Sequence, residues 1–435
     1  MSYQVVHAEG FLAFLRFGHN RLQFVAEMAR RGVDVSTLRL GSKRIYVINH
    51  PDLIRDVLVT HEAGFTKGAG LQAMKPILGE GLLTSEGEHH TSQRRLVQPA
   101  FQHERIASAA TTVVQCAAAL RQRWADGQQI AMDQEMMQLS LRILGLTLFG
   151  ADSDGSGKEV SQALTLAYSV FTGFNPLIAL FAPARKRFER KAAVVRGQVD
   201  QVLTKVIEEH RRNPGVYSDV LSMLLESFDN SVPEQQLCDE ALTLFLAGYG
   251  TTSIALTWAW FLLAQHPEVA RSMRAELDAV LGESLPTFEH LPQLEYTGCV
   301  YREVLRLYPP AWMIAREPIA PYMLGEIQIP AGSMITMSSY ATQRDSRFWQ
   351  KPEAFDPERW QPSRQQGRPQ FAFFPFGAAS RSCMGEHFAI MQGVLALATL
   401  AQQWNPVLRE DQNVELRPQI TLRPKESIRF TLQRR

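Results

Sequence analysis

The sequence predicts a mostly α protein with a small β portion, an α+β fold built as one large domain. Three observations predict it. The run from Ala241 to Ala264 holds no charged side chain, the pattern of a long helix buried on every side. Helical periodicity fills most of the chain from Ala107 to Arg212 and returns between His266 and Pro310. Strand-like alternation is confined to Ser36–Ile48, Met323–Tyr340 and the last stretch, Thr421–Gln433.

Composition bounds the function. The 435 residues are 45% hydrophobic and 20% charged, enough for a large core in an ordinary globular protein. No Pro/Gly/Ser-rich linker, internal repeat or composition break divides them, so residues 1–435 read as a single domain. A net charge of +1 gives no field to draw nucleic acid or an anionic membrane. Cys116, Cys238, Cys299 and Cys383 lie far apart without paired spacing, which fits a reducing cytoplasm. The first residues carry no basic-then-apolar signal pattern. The uncharged run has the length of a membrane span, but its middle, Gly248-Tyr-Gly-Thr-Thr-Ser253, is polar and glycine-rich. We therefore expect no membrane insertion.

Taken in order, Leu12–Arg31 has a helical pattern that stops at Gly32. Ser36–Ile48 reads as a hairpin turning at Gly41-Ser-Lys, and Pro51–Thr60 as a short helix. Phe65–Leu83 has few periodic signals and reads as loop. Gly87-Glu-His-His-Thr-Ser-Gln-Arg-Arg95 opens a helix on which His90 and Arg94, four apart, share a face. That face suits a carboxylate or phosphate, or is simply a solvated basic face. Ala107–Gly150 is helical with a break at Asp126-Gly127, and two or more helices fill Ala163–Arg212 around Asn175-Pro and Ala182-Pro.

Ser231-Val-Pro-Glu234 is a capping box with proline in the first turn. It starts a helix running to about Ala264, on the order of 45 Å long at 1.5 Å per residue. Gly248 and Gly250 in its middle each cost about 1 kcal/mol against alanine and leave a groove without side chains. Thr251 there either bonds back to the carbonyl of Ala247 or donates into the groove. Tyr301-Arg-Glu-Val-Leu-Arg-Leu-Tyr-Pro-Pro310 is a helix stopped by proline, with Glu303 and Arg306 projecting together. Near the end, Phe374-Pro-Phe-Gly-Ala-Ala-Ser-Arg-Ser-Cys-Met-Gly385 carries Cys383 on a small-residue loop to the start of an apolar helix. A thiol so placed sees unsatisfied N–H groups and the positive end of a backbone dipole, which favour its thiolate. Alone, the cysteine would read as a core thiol.

The spacing Phe376-Gly-x-x-x-Arg381-x-Cys383-x-Gly385 resembles the cysteine-ligand loop of the cytochrome P-450 family, the haem-thiolate monooxygenases. Further matches follow in the family's order. His90-x-x-x-Arg94 is similar to its haem-propionate helix, and Ala247-Gly-Tyr-Gly-Thr-Thr252 to its oxygen-activating helix. Glu303-x-x-Arg306 with Arg359 in Phe355-Asp-Pro-Glu-Arg-Trp360 is similar to its buried ion triad. Two departures stand out: Ala379 replaces a usual glycine of the loop, and Gly250 replaces the usual acid before the alcohol Thr251.

The resemblance implies a single soluble domain with haem b (iron protoporphyrin IX) between the long helix and the cysteine loop. In it Cys383 is the iron ligand. Phe376, Gly377, Arg381, Gly385, Ala247 and Gly248 line the haem. His90, Arg94, Arg316 and Arg381 meet its propionates. Gly250, Thr251 and Thr252 stand at the catalytic positions, and Glu303, Arg306 and Arg359 brace the loop. Leu244, Trp312, Met313, Ile314 and Ile420 line a pocket for a hydrophobic or amphipathic small molecule. Insertion of one oxygen atom from O2 is the expected reaction. Electrons would come from NAD(P)H through separate partners, a ferredoxin or flavodoxin with its reductase, in the cytoplasm. Gly250 keeps open a second outcome on the same haem: dehydrogenation, oxidative C–N or C–C coupling, or peroxide-driven oxidation. A non-catalytic haem sensor or carrier is the third reading. Without an acid at 250, protons would reach the site through water, Tyr249 or the substrate.

Overall fold

The computed structural model describes residues 3–7, 17–18, 20–40, 43–151, 157–174, 182–227 and 232–435. In chain order the principal helices are α1 (Arg21–Arg30), α2 (Pro51–Arg55), α3 (Gly87–Val97), α4 (His103–Arg123), α5 (Met132–Phe149), α6 (Lys158–Thr172), α7 (Ala182–Arg212), α8 (Val220–Ser227), α9 (Glu234–Gln265), α10 (Pro267–Leu281), α11 (Glu295–Leu307) and α12 (Glu386–Ala401). The fold is mostly α with a small β portion, as expected. Among the described residues no helix is long and apolar enough to cross a membrane.

Contacts divide the chain into two compact units: Met1–Ala73 with Glu303–Cys383 and Ile420–Leu422, and Met74–Arg302 with Met384–Gln419 and Arg423–Arg435. The first is organised by a six-stranded sheet. Its strands are β1 (Val5–His7), β2 (Val35–Leu40), β3 (Lys43–Ile48), β4 (Phe65–Lys67), β5 (Ile314–Pro318) and β6 (Met334–Met337), in the spatial order β1-β2-β3-β6-β5-β4. The expected hairpin is β2–β3, antiparallel with Val35 opposite Ile48 and Leu40 opposite Lys43. Its turn lies outside the described residues, as do residues 12–16 of the expected first helix, Asn175-Pro and Ser231. Val35, Ile48, Ile54, Val57, Ile335 and Met337 form the core over the sheet, each side chain contributing about 1.5–3 kcal/mol by burial.

Phe65–Leu83 is not the loop its weak periodicity suggests. It supplies edge strand β4 and two short helices, Ala69–Gln72 and Lys75–Leu78. Strand β4 forms because β5, some 250 residues away in sequence, offers it an antiparallel partner, with Thr66 Oγ1 bonded to Glu317 O. Local sequence does not encode such a pairing.

The second unit packs around α9, which lies against α5. The helix starts after Pro233 and ends where Pro267 forces His266 out of the helical region, at φ −127° and ψ 73°. The His266 ring then caps the end, Nδ1 donating to Leu262 O at 2.8 Å. Pro267 opens α10 at a position where its missing N–H costs nothing. Helix α5 ends in a left-handed Gly150 whose N–H returns to Leu146 O. A small antiparallel sheet, Trp404–Leu408 with Arg429–Arg434 and Gln129–Ala131, completes the unit.

Helix α7 is tied to α8 by a buried ion pair. His210 Nε2 donates to Asp219 Oδ2 at 2.8 Å, and Nδ1 donates to Val206 O at 2.9 Å. Both partners only accept, so the ring carries both protons. Tyr217 stacks on it at 4.1 Å, and Asp219 Oδ1 caps α8 by accepting from Ser222 N. Burial opposes the charged ring, but the hydrogen bond and charge of Asp219 outweigh it and raise its pKa. Because the folded value is the higher one, this stabilisation is full below the ordinary imidazole value of about 6.5 and fades as pH climbs through the raised value. We expect the wild-type urea midpoint to fall between pH 6 and pH 9 more steeply than that of His210→Gln. Parallel slopes would remove His210 from the account.

Candidate haem-binding site

In the first unit the cysteine loop leaves the sheet core at Phe374, which is 3% exposed. Gly377 turns the chain at φ +70°, and Cys383 N then donates to Phe376 O at 2.8 Å. The thiol is exposed, whereas Cys116 and Cys238 are buried; burial pushes the Cys238 thiol up to about 11. Ala379 sits in the left-handed region at φ +53°. For a residue with a β-carbon that costs about 1–2 kcal/mol. Ser380 beside it is pinned, N and Oγ donating to Glu62 Oε2 at 3.1 and 3.0 Å. The loop thus keeps its turn without the usual glycine.

Behind the loop lies a desolvated charge. Glu303 is fully buried. Its carboxylate accepts from Arg306 Nε at 2.9 Å and Nη2 at 2.8 Å, from Arg359 Nε at 2.9 Å, from Trp360 Nε1 at 2.9 Å and from Asp356 N at 3.1 Å. Arg306 also donates to the carbonyls of Gln343, Pro352 and Ala354. The sequence pattern names the three charged members but misses Gln343. Its amide donates to Leu305 O and Arg306 O, and its Oε1 accepts from Phe374 N at 3.2 Å. Gln343 thereby joins the end of α11 to the first residue of the cysteine loop. Nothing in the local sequence separates it from an exposed glutamine.

Arg316 lies on β5, 8% exposed, directly opposite Lys67 of β4, 5% exposed. Two buried cations thus face each other on one ladder, with Arg316 Nη1 donating to Ala315 O at 2.9 Å, and Lys67 is a neighbour that sequence reasoning did not single out. Leu422 N donates to Pro310 O at 2.9 Å, bringing the Ile420 turn to the segment Trp312–Ile314. Trp312 is buried at 1% exposure; Met313, Ile314 and Ile420 are half-buried.

In the second unit α9 is buried almost all round. In its centre the exceptions are Leu244, Ala247, Gly248 and Thr251, at the i, i+3, i+4, i+7 spacing of one helix face. Ala247 is exposed inside this otherwise packed helix. Thr251 bonds back, Oγ1 donating to Ala247 O at 2.7 Å, while Thr252 is buried at 3%.

The glycines do not both open a groove. A β-carbon on Gly250 would lie 2.3 Å from Tyr168 Oη, and one on Gly248 would lie 3.2 Å from Leu144 Cδ1. The space at 250 is filled from α6, and α5 closes on 248. Tyr249 is 3% exposed, and burial together with the neighbouring Tyr168 pushes its phenol up to about 12. That makes Tyr249 a poor proton donor. On α3, His90 is buried and Arg94 half-buried. A β-carbon on Gly385 would lie 3.6 Å from Cε1 of Phe101, in the turn after α3.

Each unit by itself offers residues that fit the prosthetic group of a haem-thiolate oxidoreductase: in the first an exposed thiol on a braced loop suits the iron and the cations Arg316 and Lys67 suit carboxylates, and in the second α9 offers an apolar stripe. A cytochrome P450 family model matches residues 8–432. Over 412 residues the chain is 35% identical to cyclooctatin synthase of Streptomyces melanosporofaciens, covering 92% of this chain and 89% of that one. It is 35% identical to cyclooctat-9-en-7-ol 5-monooxygenase of the same organism, covering 88% and 84%, and 33% identical to pentalenene oxygenase of Streptomyces avermitilis, covering 90% and 88%. The chain belongs to the cytochrome P450 family. It is an oxidoreductase and a haem-thiolate monooxygenase; the similarity to named oxygenases favours oxygen insertion over the dehydrogenating, coupling, peroxide-driven and sensor readings.

The buried triad sets an order of stabilities. Glu303→Gln removes the negative charge between two buried guanidinium groups and should cost about 3–5 kcal/mol. Gln343→Ala strands buried carbonyls and the Phe374 N–H and should cost about 1–3 kcal/mol. Urea unfolding of both variants checks the order. A Glu303→Gln protein as stable as wild type would show that the triad is not what braces the loop.

Proposed function

We propose that the chain inserts oxygen into a polycyclic alkene, or an alcohol derived from one, of the terpene class. The observation that carries this reading is the stripe Leu244–Ala247–Gly248–Thr251 on α9, apolar at three of its four positions and left out of the packing of that buried helix. Such a lining holds a hydrocarbon skeleton and orients it with few polar contacts. Two of the relatives are named for an alkenol, cyclooctat-9-en-7-ol, and for an alkene, pentalenene.

In this proposal residues 1–435 are a single haem-thiolate monooxygenase domain. Cys383 Sγ would hold the haem iron, with Phe376, Gly377 and Gly385 shaping the loop around it. His90, Arg94, Arg316 and Arg381 hold the propionates, with Lys67 beside Arg316. When bound, thiolate-ligated haem b supplies the activation of O2, the sulfur favouring O–O cleavage. The protein's own part is to position the substrate and exclude water. Thr251 presents a hydroxyl that both donates and accepts, set on the bare stripe by its bond to Ala247 O. Gly250 and Thr252 hold no side chain toward that face: one has none, the other is packed inside. Electrons arrive from NAD(P)H by way of a ferredoxin or flavodoxin and its reductase, in the cytoplasm.

Carbon monoxide bound to the reduced protein tests the ligand. We expect the red-shifted Soret band of a thiolate complex, lost in Cys383→Ser; an unchanged band in that variant would overturn the assignment. A spectral titration tests the substrate class. Pentalenene and related polycyclic alkenes should shift the iron spin state more strongly than fatty acids, steroids or aromatic compounds, and oxygen-18 from O2 should appear in the product.

Ala247→Leu separates binding from stability. The position is exposed and leucine is a good helix former, so the unfolding free energy should move by less than about 0.5 kcal/mol. The spin-state response should be lost, because the larger side chain fills the stripe. A variant that binds pentalenene as wild type does would place the substrate elsewhere.

A further inference from the structure

The Gly250 position invites a question that the family resemblance leaves open: what occupies the place of the missing side chain. Tyr168 of α6 is 4% exposed. Its Oη, Cε2 and Cζ lie 2.3, 2.5 and 2.7 Å from where a β-carbon of residue 250 would stand. Its ring meets Tyr249 edge-on at a centroid distance of 4.7 Å, and Tyr249 in turn stacks on Phe245 at 5.2 Å. Tyr168 is therefore seated against the backbone of α9 in the turn that carries Thr251. Arg423 lies within electrostatic reach of the phenol and is itself held by Gln419 Oε1 at 2.6 Å. The phenol thus sits in a slot against the backbone of α9 with a cation nearby.

We propose that Tyr168 is a positioning residue for Thr251, and that its hydroxyl replaces the polar group that a side chain at position 250 would otherwise supply. The polar group has moved from α9 to α6, and glycine at 250 is the condition for it. The ring holds the Ala247–Thr251 turn. The hydroxyl keeps a buried protic group one residue from the alcohol on the bare stripe. Tyr249 is not an equivalent source, since its pKa is already high and its ring is packed between Tyr168 and Phe245. The proposal rests on the haem-thiolate reading for its functional half only.

Two measurements test the two halves. Thermal unfolding of Gly250→Ala, Tyr168→Ala and the double variant tests the slot. Gly250→Ala should lower the Tm of the wild type, because the methyl group meets the phenol. In the Tyr168→Ala background the same methyl group has room and gains helix propensity, so the sign should reverse. A destabilisation of equal size in both backgrounds overturns the slot, and this readout needs no turnover.

The functional half is read in the haem-loaded enzyme with a surrogate ferredoxin and reductase, as hydrogen peroxide released per NADPH oxidised without organic substrate. Tyr168→Phe keeps the ring, so its Tm should stay at the wild-type value while peroxide per NADPH rises severalfold. Tyr168→Ala should show the same rise, and adding Gly250→Asp to it should bring peroxide back toward wild type, whereas adding Gly250→Ala should not. Wild-type partitioning in Tyr168→Phe would make the phenol a space filler and overturn the proposal. If the carbon monoxide complex lacks a thiolate band, the functional reading fails, and the sign reversal in Tm still decides the slot by itself.

Discussion

A carboxylate with no access to water governs the architecture around the cysteine loop. Taking Glu303 out of solvent costs several kcal/mol that no single partner returns. It is tolerated because five donors reach it together: two from Arg306, and one each from Arg359, Trp360 and the Asp356 backbone. Those donors come from α11, from the 350–360 segment and from its closing turn. None of these segments can shift without leaving a buried charge uncompensated. The exposed pair Lys205–Glu159 has a similar distance, 3.0 Å, yet such surface pairs contribute about 0–1 kcal/mol. Burial, not distance, gives the triad its hold. Trp349 extends it, lying under Arg306 at 5.0 Å and under Arg368 at 4.1 Å, contacts favourable to a cation with little water around it.

Helix α9 solves a different problem, burying 24 of its 32 residues while carrying polar groups. Its first turns hold Asp239 and Glu240, both buried. They are not core errors. Asp239 accepts from Glu80 N at 2.7 Å and pairs with Arg196 of α7, while Glu240 accepts from Leu82 N at 3.0 Å. A β-carbon on Gly79 would lie 2.1 Å from Asp239 Oδ2, so glycine there lets the 79–82 segment approach the carboxylates. Polar clamps fix one end of the helix and aromatic and aliphatic packing the other. The stripe Leu244–Ala247–Gly248–Thr251 lies between them.

Much of this was legible in the sequence, and the limits are physical. The helices α9, α11 and α12 announce themselves through length, uncharged runs and proline stops, which are local signals. Spacing alone showed Glu303 and Arg306 one turn apart on a helix; their burial and the third member, Arg359, came from the family resemblance. Gln343 and Lys67 were not visible, because their meaning comes from segments distant in the chain: Gln343 from Phe374, Lys67 from Arg316. Strand β4 was missed for the same reason, since an edge strand of three residues is stable only against its partner. Ala379 was legible as a departure, and its positive φ shows the loop geometry persisting at the cost of some strain.

Gly250 marks where reading a sequence by absence stops. A glycine in place of an acid shows that a carboxylate is gone, and it says nothing about what filled the volume. Packed interiors leave few voids larger than a water molecule, so a missing side chain beside a buried helix implies an occupant from a neighbouring element. Tyr168 is that occupant, and the two positions are therefore not independent. A change at either alters the fit of the other, so restoring an acid at 250 alone adds a charge and at the same time expels a phenol. The packing at this turn is a property of the pair, and only α6 and α9 considered together reveal it.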